Sequence, residues 1–291
     1  MKIAASSDMR VFVREMSRVF TTDEDKVRAV YYWITENIDY DCAGYHNNLL
    51  ISTEIDDILK SHKAVCSGYS ALMQYGCDVM NIECKTIEGV ARNYATGFVM
   101  RPDSLKTNHA WNSVKIKGEW KLIDATWASG STDKGTTQFK RKRDDNYFMM
   151  RPDWFICQHL PDSSSWQLLK DSVVTQNAFC LQPLVMRGFF ENQIESVQPS
   201  SLQLIKKIGD TITFKFSAAS SLNEITIYSE EKPAIILTAN LIKKDSCYYF
   251  NYIVTQPGKY DLTVWLNDSL SAAIMYSLEV SGNKQLFQKI R

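Results

Sequence analysis

Apolar residues recur at helical spacing through the first eighty positions of the chain. In 23–37, Val27, Val30, Tyr31 and Ile34 fall on one side, which predicts an amphipathic helix. Thr22, with Asp25 three residues on, supplies a capping-box-like start. A shorter helix is expected after Ser52, with Ile55, Ile58 and Leu59 on one side. A third is expected over 66–80, where Tyr69, Leu72, Met73, Gly76, Val79 and Met80 share a face and Asn81 offers a C-cap. From residue 82 the pattern turns to strands, in "IECKTIEGVAR" and "HAWNSVKIKGEWKLIDATW". Residues 131–146 are polar, contain Gly135 and are expected to be a long loop. Residues 147–190, with Pro152, Pro161 and Pro183, read as irregular.

After about residue 195 the cadence changes. "DTITFKFSAAS", "NEITIYSEE", "AIILTANLIK", "CYYFNYIVT", "GKYDLTVWLND" and "AAIMYSLEV" are short β-rich runs, with Pro-Gly at 257–258. That spacing predicts a β-sandwich domain.

Composition narrows the function classes. The 291 residues carry 33 Lys plus Arg against 33 Asp plus Glu. A balanced charge gives no electrostatic case for nucleic acid or an anionic membrane as partner. The run Lys140–Arg143 is followed at once by Asp144 and Asp145, which reads as a solvated loop. No apolar run reaches the length of a membrane span. The N-terminal "MKIAASSDMRVF" has no apolar core of a signal peptide. A chain trimmed after export would look the same, so localisation stays open between the cytoplasm and an exported form. The cysteines are Cys42, Cys66, Cys77, Cys84, Cys157, Cys180 and Cys247. No CxxC pair occurs, so no metal site of the usual zinc spacing is expected, and no cofactor is implied.

The chemistry emerges from hairpin arithmetic. Lys117-Gly118 is a two-residue turn candidate. If Ile116 pairs with Glu119, paired positions sum to a constant, and Trp111 lies opposite Asp124 and His109 opposite Thr126. Directly paired residues point to one face, so His109, Trp111, Asp124 and Thr126 share it. His109 and Asp124 then become diagonal neighbours, about 5.5–8 Å apart at Cβ. A one-residue bulge would destroy this alignment.

A histidine held by a carboxylate needs a nucleophile to become a catalytic arrangement. Cys66 fits, because it opens the helix predicted over 66–80, where unpaired N–H groups and the helix dipole favour a thiolate. Gly68, lacking Cβ, lets substrate or a neighbouring strand approach closely. Read singly, each residue has an ordinary structural explanation: a small buried hydrophobe, a satisfied strand histidine, a turn-capping aspartate. Cys77 and Cys84 read as buried thiols, His62 as a surface residue, and His46 and His159 have no partner visible in the sequence.

The blocks "VYYWITENIDYD", "AVCSGYSALMQYGCDVMNIECKTIEGVAR" and "NHAWNSVKIKGEWKLIDATW" resemble the transglutaminase-like superfamily of papain-type cysteine enzymes over roughly residues 20–130. The segment "YFMMRPDWFICQHLPDSSSWQLL" (147–169) resembles the tail that follows this core in the kyphoscoliosis-peptidase-like branch. The resemblance implies an α+β fold: a papain/transglutaminase-like core with N-terminal helices and a nucleophile helix packed on an antiparallel sheet, over 1–192. An Ig-like β-sandwich follows over 193–291. It implies Cys66 as nucleophile, His109 as general base and acid, and Asp124 as orienter. Tyr40 in "NIDYD" is the oxyanion candidate by position, and Trp111 and Trp127 flank the site as walls. The implied function is a cysteine peptidase or amidase working through a thioester acyl-enzyme. Two alternatives stand beside it: a protein-glutamine transamidase of the same fold, and a non-catalytic protein-binding scaffold. The expected partner is a protein or peptide substrate, a cell-wall peptide among the candidates.

Overall fold

The computed structural model describes residues 8–47, 52–94, 99–133, 135–230, 234–267, 269 and 271–282. Residues 1–7, which bear on the question of a leader, lie outside the described residues. The chain divides into two compact units, one comprising residues 1–97 and 105–174, the other 98–104 and 175–291.

In the first unit, helix Asp23–Asn37 begins as its sequence predicts. Thr22 caps it, its hydroxyl accepting from the Asp25 N–H at 3.1 Å. Val27, Val30, Tyr31 and Ile34 are all fully buried. Helix Cys66–Val79 is the centre of the unit, packing on one side against Asp23–Asn37 and on the other against the sheet. It buries Tyr69, Leu72, Met73 and Gly76 as predicted, together with Cys77, whereas Val79 at the last turn is exposed. Gly76 lets the two helices meet: a Cβ there would lie 2.5 Å from Val30 Cγ1. The C-cap is Met80, and Asn81 follows with a left-handed φ of 57°, which asparagine tolerates better than most residues.

The sheet is antiparallel throughout, in the spatial order Phe148–Met150, Glu119–Ile123, His109–Ile116, Cys84–Ala91, His159–Pro161. The hairpin register is the predicted one. Ile116 pairs with Glu119, and the ladder runs back to Asn112 opposite Ile123. Lys117 and Gly118 both have positive φ, 51° and 84°, as the tight turn that matches strand twist requires. The ladder ends one residue before Asp124. Residues Ala125–Ser129 form a short helix with Asp124 as its N-cap, so Thr126 is helical and does not pair with His109 as the arithmetic extended to it. The carboxylate there bonds the Thr126 and Trp127 N–H groups, an N-cap arrangement that competes with continuing a strand.

Two loop expectations change. Residues 131–146 contain a short hairpin, Gly130–Thr132 paired with Phe139–Arg141. The basic run is not wholly solvated either. Arg141 donates to the Thr35 carbonyl and the Asp39 carboxylate. Arg143 pairs with Glu36 at 2.9 Å and Asp145 at 3.1 Å. Both cations thus sit at the C-terminal end of helix Asp23–Asn37, where the dipole favours them. Residues 147–169 hold short elements, among them the edge strand His159–Pro161.

The second unit contains two sheets. One runs Leu184–Val185, Ile274–Ser281, Gly258–Leu266, Glu224–Ser229, Ile235–Asn240, with Gln203–Lys207 added in parallel to Ile274–Ser281. The other runs Ile194–Gln198, Thr211–Ala218, Cys247–Ile253, Ile242–Lys244. Alternation is clean on Thr211–Ala218, where Ile212, Phe214 and Phe216 are buried. The sheets meet through Phe214 and Tyr276, whose rings lie 5.7 Å apart. The boundary expected at 192/193 falls inside this unit: Leu184–Val185 is already a strand of its first sheet, and Leu184 packs with Leu202 and Met275.

Gly89 sits at a tight point of the first unit. It faces His109 across the ladder, and a Cβ on it would lie 2.2 Å from the Leu160 carbonyl oxygen and 2.7 Å from the Trp111 ring. Gly89→Ala is expected to lower stability by about 1–3 kcal/mol by overpacking, read as a lower urea midpoint. An unchanged midpoint shows that the strand His159–Pro161 is free to move away.

Candidate active site

Cys66 is the first residue of its helix and is half-buried. The first N–H groups of a helix have no partner within it, so the thiol sits at a partial positive charge. Two short parallel strands, Asp39–Tyr40 and Lys63–Ala64, lead into it. Asn112, buried beneath, donates to the Ser70 carbonyl at 3.1 Å and so ties the strand His109–Ile116 to the helix Cys66–Val79. Asn108 extends the ladder at its end, accepting from the Ala91 N–H and donating to the Ala91 carbonyl. These contacts bring His109 against Cys66.

Behind His109 lies Asp124, fully buried. Its Oδ2 is 2.7 Å from His109 Nε2. With Nε2 committed there, Nδ1 is the ring nitrogen left for the thiol. Burial pulls the His109 pKa down, but the Asp124 carboxylate and the Cys66 thiolate outweigh it and raise the value to about 10. Burial pushes the Cys66 pKa up. The His109 hydrogen bond and charge, with help from the Ala110 N–H, bring it below the ordinary thiol value. Burial also acts against the Asp124 charge, yet His109 and His159 hold its pKa well below the usual carboxylate range. The arrangement therefore shifts the pair toward thiolate and imidazolium, with the buried carboxylate behind them.

The sequence reading missed one member. His159 Nε2 lies 3.0 Å from the same Asp124 Oδ2. It is fully buried, stacked on Phe155 at 4.1 Å and wedged by Trp127 at 4.4 Å and Trp111 at 5.2 Å. The available signal was thin: His159 is one of four histidines and lies in the segment 147–169.

The remaining candidates divide. Trp111 and Trp127 stand 6.1 and 5.4 Å from the His109 ring. Tyr40 lies near Cys66: burial raises its pKa, and the thiolate adds to the effect. It is thus a neutral hydroxyl near the thiol. Gly68 turns away from the thiol. A Cβ there would meet Ala64 Cβ at 2.8 Å and Ile58 at 3.0 Å, so its smallness serves the packing of the strand Lys63–Ala64. His62 is exposed at the end of helix Ile55–Ser61, and Cys77 and Cys84 are buried. Among the described residues, His109, Asp124 and His159 lie close enough together to raise the question of a metal. Both imidazole Nε2 atoms already bond the carboxylate, so the cluster's donor chemistry is that of a proton network.

Residues 10–125 match the transglutaminase-like superfamily. The chain is 34% identical over 171 residues to the human kyphoscoliosis peptidase, covering 58% of this chain and 25% of that protein. It is 25% identical over 199 residues to Drosophila melanogaster hillarin, covering 64% of this chain and 24% of that one. It thus spans about a quarter of the length of these curated relatives. A crystal structure of a TGase overlays at a TM-score of 0.34 and 18% identity, over 48% of this chain and 35% of its own.

The ion pair makes a linkage prediction. His109 is raised from 6.5, so alone its stabilisation is full below about pH 6.5 and lost as pH rises through its folded value. Cys66 is lowered from 9.0, so its contribution is full above about pH 9 and lost as pH falls. At pH values above the folded Cys66 pKa and below about 9, folding moves a proton from thiol to imidazole without net release, so wild-type stability is expected to fall less steeply with pH than that of a variant lacking the thiol. In Cys66→Ala only the His109 term remains, and the urea midpoint is expected to fall steadily above about pH 6.5. Parallel pH profiles for the two proteins would refute the ion pair.

Proposed function

Residues 10–125 are a transglutaminase-like domain similar to that of the kyphoscoliosis peptidases, and on that premise we propose that the protein is a cysteine-dependent amide hydrolase. The observation that carries this reading is the thiol at a helix start, lowered in pKa by an imidazole whose far nitrogen bonds a buried carboxylate.

In this mechanism the Cys66 thiolate attacks the amide carbon, and the carbonyl electrons move to oxygen. The Cys66 backbone N–H and the Tyr40 hydroxyl receive that oxyanion. His109 passes its proton to the leaving amine as the tetrahedral intermediate collapses to a thioester. His109, now neutral, takes a proton from water, and the hydroxide releases the acid and restores the thiolate. Asp124 keeps the ring oriented and balances its charge throughout. Trp111 and Trp127 keep water away from the back of the ring. We read the second unit as an Ig-like β-sandwich on the basis of its two antiparallel-dominated sheets and the Phe214–Tyr276 contact between them. A protein or peptide substrate suits a chain whose relative carries the name peptidase.

The test is labelling with a panel of thiol-directed peptide probes, wild type against Cys66→Ala, with iodoacetamide rates at pH 7 alongside. Wild type is expected to label at Cys66 and the alanine variant not to label. His109→Ala is expected to slow alkylation at least about tenfold. Labelling spread evenly over the exposed thiols, or a rate that His109→Ala leaves unchanged, favours the non-catalytic scaffold. Product analysis with an added primary amine separates hydrolysis from transamidation.

A further inference from the structure

Asp124 has four N–H donors. Oδ1 accepts from Thr126 at 2.9 Å and Trp127 at 3.0 Å, and Oδ2 from His109 at 2.7 Å and His159 at 3.0 Å. Three of these come from the hairpin and the helix that follows it. The fourth comes from the edge strand His159–Pro161, which lies beyond the segment matched by the family and pairs with Cys84–Ala91 at Ala91 opposite His159.

Two imidazoles on one carboxylate oxygen cannot do the same job. His109 is adjacent to the thiol and is the one that can exchange a proton with it. His159 is sealed: Phe155, Trp127, Trp111 and Tyr147 surround the ring, and no part of it is exposed. Its Nδ1 makes no hydrogen bond, although the Phe155 backbone carbonyl lies close enough to act on the ring. A second proton on that nitrogen would place a charge stripped of water in an aromatic cage beside the His109 imidazolium, which is expensive. With one proton to place, the ring must carry it on Nε2, because an unprotonated Nε2 would face the carboxylate lone pairs. Burial does push the His159 pKa below the ordinary histidine value.

We propose that His159 is a positioning residue: its neutral imidazole donates Nε2–H to Asp124, completes the set of donors that fixes the carboxylate, and limits how tightly Asp124 holds the His109 proton. The role rests on the hydrolase reading only in the task it gives His109. A carboxylate oxygen shared between two donors is a weaker base toward each. Without His159, Asp124 would grip the His109 proton harder, and His109 would be a poorer acid toward a leaving amine. Among the described residues, the other titratable groups acting on the cluster include Cys66 and the phenols of Tyr31, Tyr69 and Tyr147. Tyr147 donates to Gln158, Tyr31 to the Asp144 carbonyl and Tyr69 to the Ile38 carbonyl.

The experiment follows the four imidazoles by NMR in the full chain carrying Cys66→Ala, so that the thiolate no longer acts on His109. His159 is expected to stay neutral with its proton on Nε2 from roughly pH 5 to 8. His159→Phe keeps the aromatic packing and removes the donor. It is expected to move the His109 titration upward by about one pH unit. His159→Gln restores an N–H near the same place and is expected to return His109 close to the parent value. A His159 that titrates in that range, a His109 titration that Phe leaves in place, or a Gln variant displaced as far as the Phe variant overturns the proposal. If the Phe variant does not fold, the parent tautomer and the Gln variant decide. Iodoacetamide alkylation of Cys66 in the wild-type chain, run in parallel, reports on the hydrolase reading alone. An inert thiol with a movable His109 sinks that reading and leaves this one standing, and a reactive thiol with an immovable His109 does the reverse.

Discussion

Everything in the candidate site hangs on a charge that has no access to water. The Asp124 carboxylate is fully buried, and a bare ion there would cost several kcal/mol. It stays ionised because backbone and imidazole N–H groups replace the water it lost. The same requirement ends the strand one residue early. To offer its N–H groups to Oδ1, the chain must turn into the helix Ala125–Ser129. The local fold and the electrostatics are therefore one constraint seen twice.

That constraint passes to the thiol through a single ring. His109 spans Asp124 and Cys66, and both anions raise its proton affinity. The cation so formed lowers the thiol pKa against the opposing effect of burial. Helix Cys66–Val79 must then be held at a fixed height over the sheet. Two kinds of contact do this: polar ties such as Asn112 to Ser70, and close packing such as Gly76 against Val30. Half-exposure of Cys66 with full burial of the carboxylate sets a direction, with the sulfur on the open side and the proton network on the closed side.

The edge strand His159–Pro161 closes the other flank. Gly89 allows its backbone, the Trp111 ring and the His109 strand to come together at one point. The tail segment thus belongs to the site's structure, even though it follows the family-matched region.

The His109–Asp124 relation was legible because it is local. A two-residue turn at Lys117-Gly118 fixes the register, and side chains alternate by two, so counting places both residues on one face. Cys66 was legible because a helix start has a sequence signature and a chemical consequence. Counting failed at Thr126, where the carboxylate's need for donors overrode the strand pattern. It could not reach His159, which arrives on a strand paired two places away in the sheet, 35 residues from Asp124 along the chain. No periodicity links those two positions. The residues that could act on a proton, and the order in which they occur, are properties of the sequence. Which of the two histidines meets the thiol, and which is sealed behind the carboxylate, was decided only by the packing of strands and aromatic rings, because burial and pairing across a sheet are not local quantities.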